Sequence, residues 1–247
     1  MLGDDLRELL GNRIPGHSGA QHSAEAELTA RLGPAPPAGL RVLDVGCGAG
    51  DSIDLFRGLD PEVRWSGVDI EGSAEVEMRT RRDAEFHTFD GERLPFADAE
   101  FDLVWCKQVL EHVLDPPALL ADVARVLRPG GVLIGSTSQL EPFHSRSTAN
   151  PTPYGLALAL ERAGLSTTVI RPSIDSFTLI VRRAMGGGEL FDRWWARESP
   201  LNRAIDIYAR ARRIEPAAVS AAKLVLCGQF VFAAERPAGT SAGQAEA

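Results

Sequence analysis

Short apolar runs alternate with longer amphipathic stretches along residues 40–171. The runs have the length of buried strands, and the stretches show the apolar spacing of helices that cover one face of a sheet. Strands are expected near residues 42–45, 63–70, 85–90, 101–106 and 166–171, and residues 127–134 are expected to form a helix end, a tight turn and then the fifth strand. Helices are expected near residues 50–59, 73–82, 116–127 and 153–163. This alternation predicts an α/β protein with a doubly wound, mostly parallel sheet.

Three segments flank this pattern. Residues 1–32 are expected to form one or two helices, broken at Gly11-Asn12 and Pro15-Gly16, that close over the domain as a lid. Residues 33–39 are rich in glycine and proline and predict a linker. Residues 236–247 are small and polar and predict a disordered tail.

A glycine-rich loop follows the first strand. Gly46, Gly48 and Gly50 alternate with other residues, so a ligand can approach the main chain closely. Asp44 precedes the loop, and its carboxylate suits a ligand that carries a cationic amine but would repel a pyrophosphate. The third glycine also comes one residue too early for a dinucleotide fingerprint. A nicotinamide-dependent oxidoreductase is therefore the weaker interpretation of this loop.

Acids stand at the ends of the next two predicted strands. Asp69 lies about 20 residues beyond the loop, where an acid can accept hydrogen bonds from ribose hydroxyls. Asp90 ends the third strand and is followed by Gly91, a pair that is also typical of a plain tight turn.

The order of these features resembles the class I S-adenosylmethionine-dependent methyltransferases, most closely their small-molecule branch. The resemblance spans roughly residues 40–136 and is carried by residues 42–50, Gly67-Val68-Asp69, Asp90-Gly91, Leu94-Pro95-Phe96, Phe101-Asp102-Leu103-Val104, Glu111-His112-Val113 and Leu127-Arg128-Pro129-Gly130-Gly131. It implies a Rossmann-like methyltransferase fold over residues 40–235, whose seven-stranded sheet ends in an antiparallel strand near residues 224–235. Residues 173–222 then form a helical insertion before that strand, which is expected to serve as a cap or an interface.

The resemblance also implies a cofactor, S-adenosylmethionine, and a set of residues that bind it. Asp44 and the carbonyls near Gly46 and Cys106 would receive the ammonium of the cofactor, Asp69 its ribose and Asp90 its adenine. The expected cofactor-binding set is Asp44, Gly46, Cys47, Gly48, Asp69, Ile70, Asp90, Gly91, Cys106 and Lys107.

Two histidines are candidates for proton transfer. A hydroxyl acceptor must lose its proton, and histidine is the natural base near neutral pH. His112 follows the fourth strand, and His144 follows the fifth at the carboxyl edge of the sheet, where ligands bind in open α/β sheets. Both are expected to be catalytic, although His112 could instead only stabilise its loop.

The composition restricts the partners, metal sites and cellular location that the sequence predicts. The net charge of −8 argues against nucleic-acid binding, and Arg79, Arg81 and Arg82 are interpreted as a solvated helix face. The three cysteines lack metal-ligand spacing, so no metal site is expected and a reducing, cytoplasmic location is favoured. The sequence contains no apolar run long enough for a membrane span.

The functional prediction is methyl transfer from S-adenosylmethionine to a small-molecule acceptor, with a hydroxyl of a metabolite or natural product as the favoured acceptor group. A homodimer is possible. The alternatives are a cofactor-binding scaffold without catalysis and the nicotinamide-dependent oxidoreductase.

Overall fold

A seven-stranded sheet forms the centre of the protein over the residues that the computed structural model describes, 2–34 and 36–238. The strands are β1 Arg41–Val45, β2 Arg64–Ile70, β3 Glu85–Phe89, β4 Phe101–Lys107, β5 Leu127–Ser138, β6 Ser166–Pro172 and β7 Gln229–Glu235. The α-helices are α1 Asp4–Leu10, α2 Ala24–Leu32, α3 Ser52–Leu59, α4 Ala74–Glu77, α5 Pro116–Val126, α6 Pro153–Arg162, α7 Ser176–Ala184, α8 Pro200–Arg212 and α9 Pro216–Leu226. Short 3-10 helices cover Gly11–Arg13 and Glu189–Trp194.

The strand order is β3-β2-β1-β4-β5-β7-β6, and β7 runs antiparallel to both of its neighbours. The order reverses at β1, which pairs with β2 on one side and β4 on the other. Asp44 lies opposite Gly67 in β2 and opposite Trp105 in β4. Ligands of open α/β sheets bind at such a reversal, beyond the carboxyl ends of the strands. The predicted doubly wound, mostly parallel sheet is confirmed.

Alternate residues of the central strands enter two separate cores. In β1, Leu43 and Val45 belong to the core formed with α1, α5, α6 and α9, whereas Val42 belongs to the core formed with α2 and α3. The period of two along a strand puts successive side chains on opposite faces, so each face carries its own apolar layer. Helices therefore cover the sheet on both sides.

The N-terminal segment passes from one face of the sheet to the other. Leu10 of α1 is fully buried in one core and Leu28 of α2 in the other. Between them, the amide of His22 donates to the carbonyl of Pro172 in the edge strand β6, at 2.8 Å. The segment predicted to be a lid is thus packed on both faces, and the start of α2 is the part of it that reaches the site described below.

The insertion before β7 is more helical than the sequence indicated, and the expected strand at 224–235 is wrong at its start. Leu224 to Leu226 form the last turn of α9, and β7 begins only at Gln229. Pro216 at the first turn and the alanine-rich stretch after it favour a helix, and this helix extends through the apolar residues that a strand would also accept. The predicted helix at 73–82 is likewise shorter, because α4 ends at Glu77.

The expected disordered tail at residues 236–247 is wrong at its first residue, Arg236. The guanidinium of Arg236 donates to the carbonyls of Arg125 and Leu127, at 2.9 and 2.5 Å, and its amide donates to Gly131. Arg236 therefore continues the ordered edge of the sheet. Residues 239–247 lie outside the described residues. Within the described part, no helix is both long enough and apolar enough to cross a membrane.

Replacement of Gly135 by alanine is expected to destabilise the sheet. A Cβ at this position in β5 would overlap the carbonyl oxygen of Cys106 and lie 2.7 Å from the Phe232 ring. We expect the free energy of unfolding to fall by roughly 1–3 kcal/mol or more, as overpacking does in dense cores. The matched variant Gly58→Ala adds a Cβ in α3 with no atom within 4 Å, and it should leave stability unchanged or slightly raised. Chemical denaturation measures both, and equal effects would contradict this packing argument.

Candidate active site

The glycine loop after β1 is held by main-chain hydrogen bonds. The amides of Gly46 and Cys47 both donate to the carbonyl of Val68 in β2, at 2.8 and 3.2 Å. Gly46 has φ +71°, and a Cβ there would overlap a methyl of Val109. Both the backbone conformation and the close neighbour require glycine at this position. The loop is thereby fixed between the carboxyl end of β2 and the segment after β4.

Asp44 is buried at the end of β1, 5% exposed, beneath this loop. The hydroxyl of Ser52 donates to its Oδ2, and the indole Nε1 of Trp65 donates to that hydroxyl at 3.0 Å. Burial raises the pKa of Asp44 to about 7, and the Ser52 hydrogen bond only partly offsets it. The nearby Asp69 raises the pKa further, whereas the charge of Lys107 lowers it. A carboxyl group in these surroundings favours the arrival of a cation.

Asp69 connects the loop to the end of β2. Its Oδ2 accepts from the amide of Gly48 at 2.7 Å, and its Oδ1 accepts from the amide of Ile70 at 2.8 Å. The side chain of Ile70 is 46% exposed, and a Cβ on Gly91 would lie 3.9 Å from its Cγ2. Ile70 and Gly91 therefore border the same open space beside Asp69.

Asp90 is exposed and forms a turn of its own. Its Oδ1 accepts from the amides of Glu92 and Arg93, at 2.9 and 2.7 Å, and these hydrogen bonds hold its pKa below the usual range. The tight turn weighed for Asp90-Gly91 is thus present.

Two of the expected cofactor residues keep their thiols in the core. Cys47 lies in the core with α3, and Cys106 lies in the core on the opposite face of the sheet. Burial raises the pKa of Cys47 to about 12 and also raises that of Cys106. Both thiols are therefore buried and unreactive, which leaves the main-chain atoms of the two residues as the groups that could contact a ligand.

Lys107 ends β4 and contacts the N-terminal segment. Its Nζ lies 2.5 Å from Oε1 of Glu25, at the start of α2. This pair brings α2 to the carboxyl edge of the sheet, close enough to Asp44 for Lys107 to affect its pKa.

Arg79 is a residue of this site that the sequence did not reveal. Its Nε donates to the carbonyl of Gly48 at 2.8 Å, and its guanidinium lies 4.0 Å above the ring of Phe86. The interpretation of the arginine triplet as a solvated helix face is wrong for Arg79, because the helix ends at Glu77 and Arg79 supports the glycine loop. No spacing rule links position 79 to that loop, and only the fold brings them together.

His112 and His144, predicted separately, lie side by side. Their ring centroids are 5.3 Å apart, with the ring planes nearly perpendicular. Glu111 is fully buried beside them, and its oxygens accept from the hydroxyls of Thr137 at 2.9 Å and Ser138 at 3.1 Å. One donor atom from each of Glu111, His112 and His144 lies within 4.8 Å of the other two. Such a cluster can take up a proton or hold a metal ion.

Further polar side chains extend this cluster along the ends of β4, β5 and β7. Gln108 has φ +56°, and its amide group donates to the Ser136 hydroxyl at 3.1 Å. Glu141 accepts from the amide group of Gln229 at 2.6 Å. One of its oxygens also lies 2.8 Å from the Ser138 hydroxyl, whose single proton is shared between Glu141 and Glu111. A non-glycine residue at positive φ marks a conformation that the surrounding structure must enforce, as is common at functional sites.

Three aromatic residues of the second half of the chain, Phe143, Tyr154 and Trp194, lie in different surroundings. Phe143 is exposed next to His144, whereas Tyr154 packs against the core of α5 and α6. Trp194 lies in the insertion instead, where a cavity of about 530 Å³ is lined by Arg193, Trp194, Arg197, Glu198, Arg203, Asp206, Ile207 and Arg210.

Comparison with known proteins identifies the domain. Residues 43–135 match the family model described as "Methyltransferase domain". A ubiquinone biosynthesis O-methyltransferase of Thiobacillus denitrificans is 38% identical over 109 residues, which are 42% of this chain and 46% of the relative. A 27-O-demethylrifamycin SV methyltransferase of Amycolatopsis mediterranei is 36% identical over 155 residues, 59% of this chain and 53% of the relative.

A solved structure shares the fold over nearly the whole chain. The phosphoethanolamine N-methyltransferase 2 of Haemonchus contortus, in complex with S-adenosyl-L-methionine, superposes with a TM-score of 0.57 at 19% identity. The match covers 94% of this chain and 56% of that one.

Residues 43–135 therefore carry the predicted methyltransferase domain, of the class I S-adenosylmethionine-dependent kind, and S-adenosylmethionine is the cofactor of such a domain. The predicted family, fold class and cofactor are confirmed. The chain spans about half the length of the curated relatives that it matches.

The buried carboxyl of Asp44 predicts a pH-dependent effect of Asp44→Asn on stability. Because folding raises the pKa of Asp44 to about 7, its contribution to stability falls as the pH rises from about 4 to about 7. Asparagine carries no such charge and can still accept the Ser52 hydrogen bond. We therefore expect Asp44→Asn to exceed the unsubstituted protein in free energy of unfolding above pH 7, by up to about 4 kcal/mol.

Denaturant unfolding between pH 4 and pH 8, without cofactor, measures this difference. The difference should shrink as the pH falls towards 4. Asp83→Asn, at an exposed acid whose pKa the Arg57 guanidinium lowers, should show no such gain at high pH. A difference for Asp44→Asn that does not vary with pH would contradict the burial argument.

Proposed function

We propose that this chain transfers the methyl group of S-adenosylmethionine to a hydroxyl group of a small molecule. The observation that carries the proposal is the His112–His144 pair, with its ring centroids 5.3 Å apart, in the segment after β4 whose Val109 packs against Gly46 of the glycine loop. In the transfer, the acceptor oxygen forms a bond to the methyl carbon while the carbon–sulfur bond breaks and its electron pair stays on sulfur. The proton of the hydroxyl passes to an imidazole, and S-adenosylhomocysteine is the product.

The donor side of the proposed site uses the residues around β1, β2 and β3. Asp44 would receive the ammonium of the cofactor, which supplies the positive charge that a desolvated carboxylate lacks. Asp69 would accept from the ribose hydroxyls in addition to the two amides that it already holds. Ile70 and Gly91 would border the adenine, and Asp90 keeps Oδ2 for the exocyclic amino group. The protein then mainly holds donor and acceptor in line, since the methyl group is already activated.

The acceptor proposed here has an apolar body. Large apolar side chains are exposed on the loop that carries His144 and on α7, at Leu140, Phe143, Phe177 and Ile180. Arg183 of α7 approaches Glu141 to 4.0 Å, which brings α7 to that loop. The names of the relatives, a ubiquinone biosynthesis O-methyltransferase and a rifamycin methyltransferase, support a hydroxyl on an apolar small molecule.

A scaffold that binds the cofactor without catalysis is the competing function. Mass spectrometry of phenols and polyketide alcohols incubated with isotopically labelled S-adenosylmethionine separates the two. A labelled methyl ether supports the proposal, whereas cofactor binding with no methylated product across the panel supports the scaffold.

Localisation and assembly belong to the same proposal. The three free cysteines are buried, which fits the reducing cytoplasm expected from the sequence. For the possible homodimer, the insertion offers exposed apolar side chains at Leu190, Ile207 and Tyr208, and sedimentation tests whether they mediate self-association.

Asp69→Ala is expected to weaken binding of S-adenosylhomocysteine by one to two orders of magnitude. This corresponds to the roughly 1.5–3 kcal/mol that hydrogen bonds involving charged groups contribute. Calorimetry measures the affinity, and Asp98→Asn, at an exposed acid paired with Arg125, serves as the control that should not change it. Unchanged affinity in Asp69→Ala would remove Asp69 from the binding site.

His112→Gln and His144→Gln are expected to lower turnover by roughly 100-fold or more, the usual contribution of a general base. Affinity for S-adenosylhomocysteine should stay the same, because neither imidazole is part of the donor side. His17→Gln removes an exposed imidazole beside Arg171 and should retain full turnover. If both test variants kept the full rate, proton removal by these histidines would be excluded.

A further inference from the structure

We propose that Glu111, His112 and His144 bind one divalent transition-metal ion of the zinc type, on the acceptor side of the site. Binding of the ion is independent of the proposed function, whereas its role in methyl transfer rests on that function. The expectation of no metal site followed from the spacing of the cysteines, and none of the three proposed ligands is a cysteine.

The first argument is that main-chain hydrogen bonds hold the three residues together. Glu111 and His112 follow β4, and His144 follows β5. The amides of Thr148 and Ala149 donate to the carbonyl of Glu111, at 2.7 and 3.2 Å. The hydroxyl of Thr148 also donates to the carbonyl of Val113 at 2.9 Å. These hydrogen bonds join the loop that carries His144 to the loop that carries Glu111. The fold therefore places one donor atom from each of the three residues within 4.8 Å of the other two.

The second argument is the charge of Glu111. Its side chain is fully buried, and within residues 2–34 and 36–238 it forms no ion pair with a lysine or an arginine. Its oxygens accept from the hydroxyls of Thr137 and Ser138, which orient the carboxylate but bring no positive charge. A buried carboxylate is costly unless a cation compensates it. A metal ion would supply that charge.

The third argument is an unused nitrogen on His112. Its Nδ1 is buried and has no hydrogen-bond partner among the described residues. Buried polar atoms of proteins nearly always have a partner, and an exception indicates an ion or a water that completes the site.

His144 is held as metal-ligating histidines usually are. Its Nδ1 lies 3.3 Å from the carbonyl oxygen of Pro142 and 3.9 Å from Oε1 of Glu141. A ligating histidine typically donates its other ring N–H to a carbonyl or a carboxylate, which fixes the tautomer. This orientation leaves Nε2 of His144 for the ion. Glu141 is itself oriented by the amide group of Gln229, at 2.6 Å.

The donor set selects the kind of ion. Two imidazoles and one carboxylate suit zinc, iron or cobalt, whereas magnesium and calcium prefer oxygen ligands alone. Three protein ligands also leave a coordination position open, as in catalytic zinc sites. A hydroxyl of the acceptor can occupy that position, where the charge of the ion lowers its pKa and its proton passes to water. With the ion bound, the imidazoles act as its ligands, and this step replaces the transfer of the proton to an imidazole that is described under the proposed function.

Metal titration of the full chain tests the site without any acceptor. The protein is first dialysed against a chelator and then titrated with Zn²⁺ by calorimetry and with Co²⁺ by visible absorption. We expect one ion per chain and the absorption bands of a Co²⁺ ion with nitrogen ligands, and no comparable binding of Mg²⁺. Glu111→Gln and His144→Gln should each weaken Zn²⁺ binding at least about 100-fold, since loss of even an outer-shell partner costs 10–100-fold.

His17→Gln is the matched histidine control and should bind Zn²⁺ like the unsubstituted protein. Thermal unfolding of all variants shows whether each is folded. Absence of stoichiometric Zn²⁺ binding, or binding that Glu111→Gln and His144→Gln leave unchanged, would overturn the site.

Activity measurements separate this inference from the proposed function. If the bound ion takes part in the reaction, methyl transfer should be lost after chelation and restored by Zn²⁺. S-adenosylhomocysteine should bind the chelated protein with unchanged affinity. Zn²⁺ binding without any methylated acceptor would support the site and contradict the proposed function. Full transfer in the chelated protein would support the histidine base and overturn the role of the ion in the reaction.

Discussion

The arrangement of the site depends on one constraint, a buried carboxyl group near the end of the central strand β1. Asp44 is buried where β1, β2 and β4 meet, and burial alone would keep it protonated near neutral pH. The Ser52 hydroxyl, supported by Trp65, and the distant charge of Lys107 compensate only in part. The fold holds this group in place because strand pairing fixes Asp44 between Gly67 and Trp105. What the protein lacks at this point is a positive charge, and the sulfonium cofactor of its family brings an ammonium.

The two halves of the sheet carry different polar groups at their carboxyl ends. The acids and the glycine loop belong to β1, β2 and β3, whereas the histidine cluster belongs to the ends of β4 and β5. The antiparallel strand β7 contributes to the second half because it begins at the carboxyl edge, where Gln229 reaches Glu141. If β7 ran parallel to β5, its first residue would lie at the opposite edge of the sheet, and Gln229 could not contact Glu141.

The sequence was sufficient for the sheet and for locating the acids near the ends of its first three strands. Apolar runs that stop at an acid mark the strand ends, and this pattern alone is enough to single out Asp44, Asp69 and Asp90. It failed where one stretch satisfies two periodicities, as at Leu224 to Leu226, where helix and strand compete for the same apolar residues. Contacts across the fold were also out of reach. Arg79 on Gly48 and the meeting of His112 with His144 depend on loop paths that no local spacing encodes.

The N-terminal segment passes along β6 from one face of the sheet to the other, and this path has a consequence for how the chain folds. Helix α1 packs against α9, which lies some two hundred residues later in the chain. During synthesis α1 therefore cannot complete its packing until α9 has emerged, and contacts between such distant segments slow folding. Strand β6 likewise gains its neighbour in the sheet only when β7 has been made, because β7 is the strand with which it pairs.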